Sequence, residues 1–162
     1  MNKAVISIGT NLGNREEHLK TALNRMQKHI GELCLKSSVY ETEAWGFESE
    51  HAFLNMVIMI ETELGPHELM KDLLMIEQEM GRQRQKKDSY SSRPIDLDIL
   101  FYEALVLNDK ELVIPHPRLH ERNFVLVPAA EILPDHAHPV LNKSIRRLLL
   151  QSSDAQKVIK YS

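Results

Sequence analysis

The stretch SSRPIDLDILF, residues 91–101, alternates in a way that an extended chain can use. Ile95, Leu97 and Ile99 fall on one side of a strand, and Asp96, Asp98 and Leu100 on the other. The strand rise makes the two carboxylates same-face neighbours about 6.5–7 Å apart. Like charges so placed repel each other unless water or a cation offsets them. One face of this strand therefore asks for an apolar layer and the other for a counter-ion.

Immediately upstream the chain is basic. Between Arg82 and Arg93 stand five cationic residues, Arg82, Arg84, Lys86, Lys87 and Arg93, against the single Asp88. A helix precedes them: Pro66 suits a first turn, and Leu69, Leu73, Ile76 and Met80 recur at helical spacing until Gly81. Further back, AVISI ends at Gly9, and Asn14 takes the N-cap position of a helix predicted over about 15–30. LKSSVYET predicts a strand near 35–42 and FLNMVIMIETEL a longer one from Phe53, with a polar loop over about 43–52 between them. Downstream, VLNDKELVI reads as a hairpin turning at Asn-Asp. Helices are expected near 124–132 and 142–151, and a closing strand at KVIKY. Strands interspersed with helices and paired in hairpins favour an α+β fold over a doubly wound parallel sheet.

The 162 residues are 43% hydrophobic and 27% charged, enough for a proper core, and no repeat or linker divides them, so a single domain over 1–162 is expected. A net charge of −3 gives no global reason to expect nucleic acid or an acidic membrane as partner. Cys34 is the sole cysteine, which excludes an intrachain disulfide and a cysteine-based zinc site. MNKAVISIGT turns polar too soon for a signal peptide or membrane span, so a cytoplasmic location is expected.

Alone, an Asp-x-Asp strand is more often a solvated face over a buried one. Here a basic loop leads straight into it, joining carboxylates suited to Mg2+ with cations suited to phosphate oxygens. Carboxylates at this separation can flank two ions roughly 3.5–4 Å apart. No G-x-x-x-x-G-K-[ST] occurs, so side-chain cations must meet the phosphates. Arg93 is held extended by Pro94 beside the carboxylates. PHPRLHERNF adds His116, Arg118, His120 and Arg122. Glu77 lies on the apolar stripe with Leu73 and Met80; it is either exposed at the rim or an acceptor for a ligand hydroxyl or a basic side chain.

SSRPIDLDIL resembles the signature of the 6-hydroxymethyl-7,8-dihydropterin pyrophosphokinase family. SIGTNLGN, SSVYETEAWG, FLN, IEQEMGRQR and VIPHPRLHERNFVLVPAAEI are similar to its other segments, in the same order. The resemblance implies a ferredoxin-like α+β fold with a mostly antiparallel sheet and helices packed on its faces. It also implies two Mg2+ ions and transfer of the β,γ-pyrophosphoryl group of ATP to the pterin hydroxymethyl oxygen, leaving AMP, in folate biosynthesis. Asp96 and Asp98 would hold the metal, and Arg82 and Arg93 would assist the transferring phosphates. Glu77, Arg84, Ile99, His116 and Arg122 would bind ATP. Thr42, Trp45, Phe53, Asn55 and Phe124 would form the pterin pocket, the aromatic rings flanking the bicycle and Asn55 reading its amide edge. Thr10, Phe53 and the segment Tyr90-Ser91-Ser92 depart from the family's commoner residues, as do Glu43 and Trp45. The loops at 43–52 and 82–92 are expected to close over the substrates. The partners implied are these two small molecules alone, with a monomeric protein, no nucleic acid and no membrane. Two rivals remain: a nucleotidyltransferase, which would release pyrophosphate, and a non-catalytic nucleic-acid-binding module, which the acidic pair disfavours.

Overall fold

β1 (Asn2–Thr10) and β4 (Phe53–Thr62) run antiparallel through the centre of a six-stranded sheet, in register from Asn2↔Thr62 to Thr10↔Leu54. The computed structural model describes residues 1–42, 52–81 and 94–161. β5 (Asp96–Tyr102) pairs with β1 on one side, while β2 (Gly31–Lys36) and β3 (Tyr40–Thr42) both pair with β4 on the other. Two helices make the crossovers. α1 (Arg15–His29) carries the chain from β1 to β2 across β4, and α2 (Pro66–Glu79) carries it from β4 to β5 across β1. These interleaved β-α-β units give the ferredoxin-like α+β fold, with every neighbouring pair in the sheet antiparallel.

Alternation along the strands feeds two cores. Ala4, Ile6, Ile8, Leu97 and Ile99 face Leu19, Ala22 and Met26 of α1 and Leu69, Leu73 and Ile76 of α2. Val5, Val57 and Leu100 face the opposite layer, with Val125, Leu126 and Ala129 of α3 (Asn123–Ile132) and Leu148 of α4 (Ile145–Gln151). A register shift between Val5 and Ile6 in the β1–β5 ladder sends both Leu100 and Phe101 into this second core.

Local chemistry accounts for the boundaries. The Asn14 side chain accepts from the Glu17 N–H at 3.2 Å and starts α1. Pro66 opens α2, and the Glu68 carboxylate accepts from the Gly65 N–H. The hairpin forms as β6 (Leu107–Asn108) and β7 (Val113–Ile114), its turn held by Asp109 Oδ1, which accepts from the Glu111 and Leu112 amides. The closing strand is β8 (Ile159–Lys160), paired with β3.

Two expected elements differ. The single strand near 35–42 is two strands, because Ser37 breaks the ladder: its hydroxyl accepts from the Val57 N–H and donates to the Ser38 carbonyl. The first of the pair starts earlier, at Gly31, where a Cβ would lie 1.9 Å from the Glu61 carbonyl oxygen. The helix expected near 142–151 begins at Ile145, since Asn142 takes a left-handed conformation (φ 56°) and Ser144 supplies the N-cap. A short 3-10 turn, Leu119–Glu121, was not expected; it lies between β7 and α3. Among the described residues no helix is long and apolar enough to cross a membrane.

Candidate active site

The register places the chemistry-bearing residues in rows across one face of the sheet. Tyr40 on β3 pairs with Asn55 on β4, Asn55 with Gly9 on β1, and Gly9 with Asp96 on β5. In the next row Val57 pairs with Ser7 and Ser7 with Asp98; on the other side Thr42 pairs with Phe53. This is the face that carries Val5, Val57 and Leu100, so the acidic pair and Asn55 share it. Adjacent strands lie about 4.8 Å apart, which separates Asn55 from Asp96 by roughly 10 Å, with Gly9 between them. Gly9 brings no side chain to that gap. A Cβ there would meet Asn55 Oδ1 at 2.9 Å, so the amide leans over the glycine.

Hydrogen bonds fix several residues on and beneath the face. Asn55 Nδ2 donates to Thr42 Oγ1 at 3.2 Å, and Thr42 is only 3% exposed. Thr10, fully buried, donates its hydroxyl to the Pro94 carbonyl at 2.5 Å and so fixes the chain where it enters β5. Asp96 and Asp98 are partly exposed, alternating with buried Leu97 and Ile99. Glu77 is buried to 2% exposure, and its Oε2 accepts from the Leu97 N–H at 2.8 Å. Its rim exposure is thus excluded, and the acceptor role falls first to the backbone between the two aspartates. Ile99 lies in the core beneath, at 3% exposure.

The cis Ile114–Pro115 bond leads into His116, whose N–H donates to the Leu100 carbonyl at 3.0 Å, bringing the loop alongside β5. Burial lowers the His116 pKa to about 4; the charges of Arg122 and Arg118 push the same way and that of Asp96 opposes them. A neutral imidazole therefore sits within electrostatic reach of Asp96 at neutral pH, able to hydrogen-bond an oxygen without adding charge. Arg122 forms the N-terminal boundary of α3, its guanidinium 5.6 Å from the centre of the Phe124 ring.

Asp96, Asp98, Asn55, Thr42 and Phe53 are thus gathered on one face, with His116 within electrostatic reach of Asp96, and Arg122 against Phe124. Trp45, Arg82, Arg84 and Arg93 lie outside the described residues, as do the expected loop closures. Sequence reading missed Gly9 as the floor of the face and Thr10 as the tie to Pro94. A glycine inside a strand was the available signal for the first.

Among the described residues no three histidine, cysteine or carboxylate side chains gather as a metal site. The donors at hand are two carboxylates side by side, hard oxygen ligands that suit Mg2+, which takes its other ligands from water and phosphate.

The described residues define a ferredoxin-like α+β protein with an acidic pair on its edge strand and a polar face beside it, a donor set of the kind that phosphoryl-transfer proteins use to hold Mg2+. Residues 5–134 match the family model described as 7,8-dihydro-6-hydroxymethylpterin-pyrophosphokinase (HPPK), and the chain belongs to that family. It is 41% identical over 131 residues to the 2-amino-4-hydroxy-6-hydroxymethyldihydropteridine pyrophosphokinase of Porphyromonas gingivalis, covering 80% of this chain and 89% of that one. The enzyme of the same name from Bacillus subtilis is 42% identical over 132 residues, covering 81% and 78%. In structure, the chain is similar to wild-type Plasmodium falciparum HPPK-DHPS solved with pteroate, at TM-score 0.77 and 19% identity over 93% of this chain. It spans 44% of that longer chain.

Proposed function

We propose that this chain transfers the pyrophosphoryl group of ATP to the hydroxymethyl oxygen of 6-hydroxymethyl-7,8-dihydropterin, releasing AMP, as an enzyme of folate biosynthesis. The observation that carries this reading is the row Asn55–Gly9–Asp96: an amide reader and an acidic ledge on one face, two strands apart, over a glycine that leaves room between them.

In this reading Asp96 and Asp98 hold two Mg2+ ions, which when bound supply charge neutralisation on the phosphate oxygens and a lower proton affinity at the attacking hydroxyl. The residues otherwise align and exclude. Asn55, oriented by Thr42, reads the amide edge of the pterin, while Phe53, Phe124 and Trp45 flank the ring. Neutral His116 donates to a phosphate oxygen, and Arg84 and Arg122 bind the triphosphate. Arg82 and Arg93 meet the charge that develops on the transferring group. Glu77 and Ile99 border the nucleoside, Glu77 by holding the Leu97 amide and Ile99 through its backbone, since its side chain is buried in the core. Asp96 and Asp98 sit at the ledge as ligands, so no separate protein base is assigned. The protein acts as a single cytoplasmic domain and as a monomer.

Incubation with Mg·ATP and the pterin, followed by nucleotide analysis, tests the proposal. AMP with pterin diphosphate is the expected outcome. Release of inorganic pyrophosphate with a nucleotidyl adduct would assign the chain to nucleotidyl transfer, and salt-sensitive RNA binding in EDTA without turnover would make it a binding module.

A further inference from the structure

The family match ends at residue 134, yet the chain beyond it returns to the site at two points. At the first, Asp154 Oδ2 accepts from the Asn123 N–H at 2.8 Å, and Asn123 Nδ2 donates to the Asp154 carbonyl at 3.1 Å. Asn123 stands between Arg122 and Phe124 and opens α3, whose boundary residue Arg122 makes no side-chain cap. Asp154 is thus the cap that α3 lacks locally, placing a carboxylate where the helix leaves amides unsatisfied. The second point is Tyr161. Its N–H donates to the Val39 carbonyl at 2.8 Å, its hydroxyl donates to Glu16 Oε1, and its ring lies 5.8 Å from the Arg15 guanidinium carbon.

Arg15 is the link to the floor of the site. One of its nitrogens donates both to Glu41 Oε2 at 3.0 Å and to the Ala52 carbonyl at 2.8 Å. Those acceptors flank the rung Thr42↔Phe53, one just before Thr42 and the other just before Phe53. β3 is three residues long, too short to hold this rung firmly through ladder hydrogen bonds alone, and β8 pairs along its other edge.

We infer that the C-terminal tail is a positioning element of the substrate site: Asp154 sets Phe124 through Asn123, and Tyr161 with Arg15 sets the Thr42–Phe53 rung, so that the tail fixes two walls of the pterin pocket from outside it. The inference rests on the pterin reading of those walls.

Steady-state kinetics and pterin binding test it, the latter measured with Mg2+ and α,β-methylene ATP present. Asp154→Ala and Arg15→Ala are each expected to raise the pterin KM and Kd about tenfold, leaving kcat and the ATP KM within about twofold. Asp154→Asn keeps an acceptor and Arg15→Lys keeps a donor, and both are expected to recover most of the affinity. Tyr161→Leu removes only a ring and a hydroxyl at the chain's end, and should raise the pterin KM about threefold. It keeps the test open should an alanine variant fail to fold. An unchanged pterin KM in the folded variants, or equal losses in kcat and both KM values without rescue, overturns the inference. Phe53→Ala and Phe124→Ala separate the two levels. If they weaken pterin binding while the tail variants do not, the tail inference alone fails. If they too leave it unchanged, the pocket reading fails and takes the inference with it.

Discussion

Replacing Gly9 by alanine would put a methyl carbon 2.9 Å from Asn55 Oδ1, and the amide rather than the backbone would have to yield. Gly9→Ala is therefore expected to fold, with a pterin KM about tenfold higher and an ATP KM near normal, read from initial rates with each substrate varied. The ledge behaves differently. Asp96→Asn and Asp98→Asn keep shape and remove charge, so each should cost about 10³-fold or more in kcat while the melting temperature stays level or rises. An Asp96→Asn protein that still released AMP at a near-normal rate would refute the metal-ligand role. At this scale the two aspartates were legible because a period of two is written in adjacent residues. Glu77's backbone partner was not, because Leu97 lies 20 residues away and the contact exists only once α2 has crossed behind the edge strand. Gly9 was similarly silent: its importance comes from cross-strand register, which one strand does not encode.

Among the elements, β2 and the segment after α3 depend on small local fits. Gly31→Ala would force a Cβ against the Glu61 carbonyl oxygen within the β2–β4 ladder, and a backbone neighbour cannot swing aside. A loss of about 3 kcal/mol or more is expected, measured by denaturant unfolding. His136 and His138 sit edge-on to Phe101, with ring centres at 4.6 and 5.7 Å. His138 Nδ1 accepts from the Val140 and Leu141 amides, a role that needs it unprotonated. Burial lowers both histidines' pKa values below the ordinary 6.5; for His138 the nearby His120 and His136 add to the effect. The unfolded chain then binds more protons than the folded one just below pH 6.5, so stability is full above that value and falls as the pH drops through it. Melting temperatures between about pH 7.5 and 5 should show this decline, and His138→Asn, which keeps an acceptor for the same amides, should make it shallower while leaving the part due to His136 and His116. The strand broken at Ser37 illustrates the limit of reading elements from pattern. The alternation of LKSSVYET is real, but a serine that bonds the neighbouring strand through its side chain divides it.

For the molecule as a whole, the order of most strands and helices and the α+β class followed from periodicity and turn residues, wherever an element carried its own signal. The pairing of β5 with β1, and the tail's return to α3 and β3, joins residues far apart in sequence and had no local mark. The proposed site likewise draws on β1, β3, β4, β5 and the loop at His116, so ligand binding should brace the whole sheet rather than one element. A ligand bound only by the folded state stabilises it by about 2.7 kcal/mol at a hundredfold excess over Kd, which for a chain of this size corresponds to a rise of about 5–10 °C in melting temperature. ATP is expected to give that rise only with Mg2+ present, because without the cation the triphosphate meets Asp96 and Asp98 as bare like charges. Differential scanning fluorimetry with ATP, with and without EDTA, checks this. Asp96→Asn should lose most of the Mg-dependent part. A shift of equal size in EDTA would show that the nucleotide is held without the ledge, and the two-metal reading of β5 would fall.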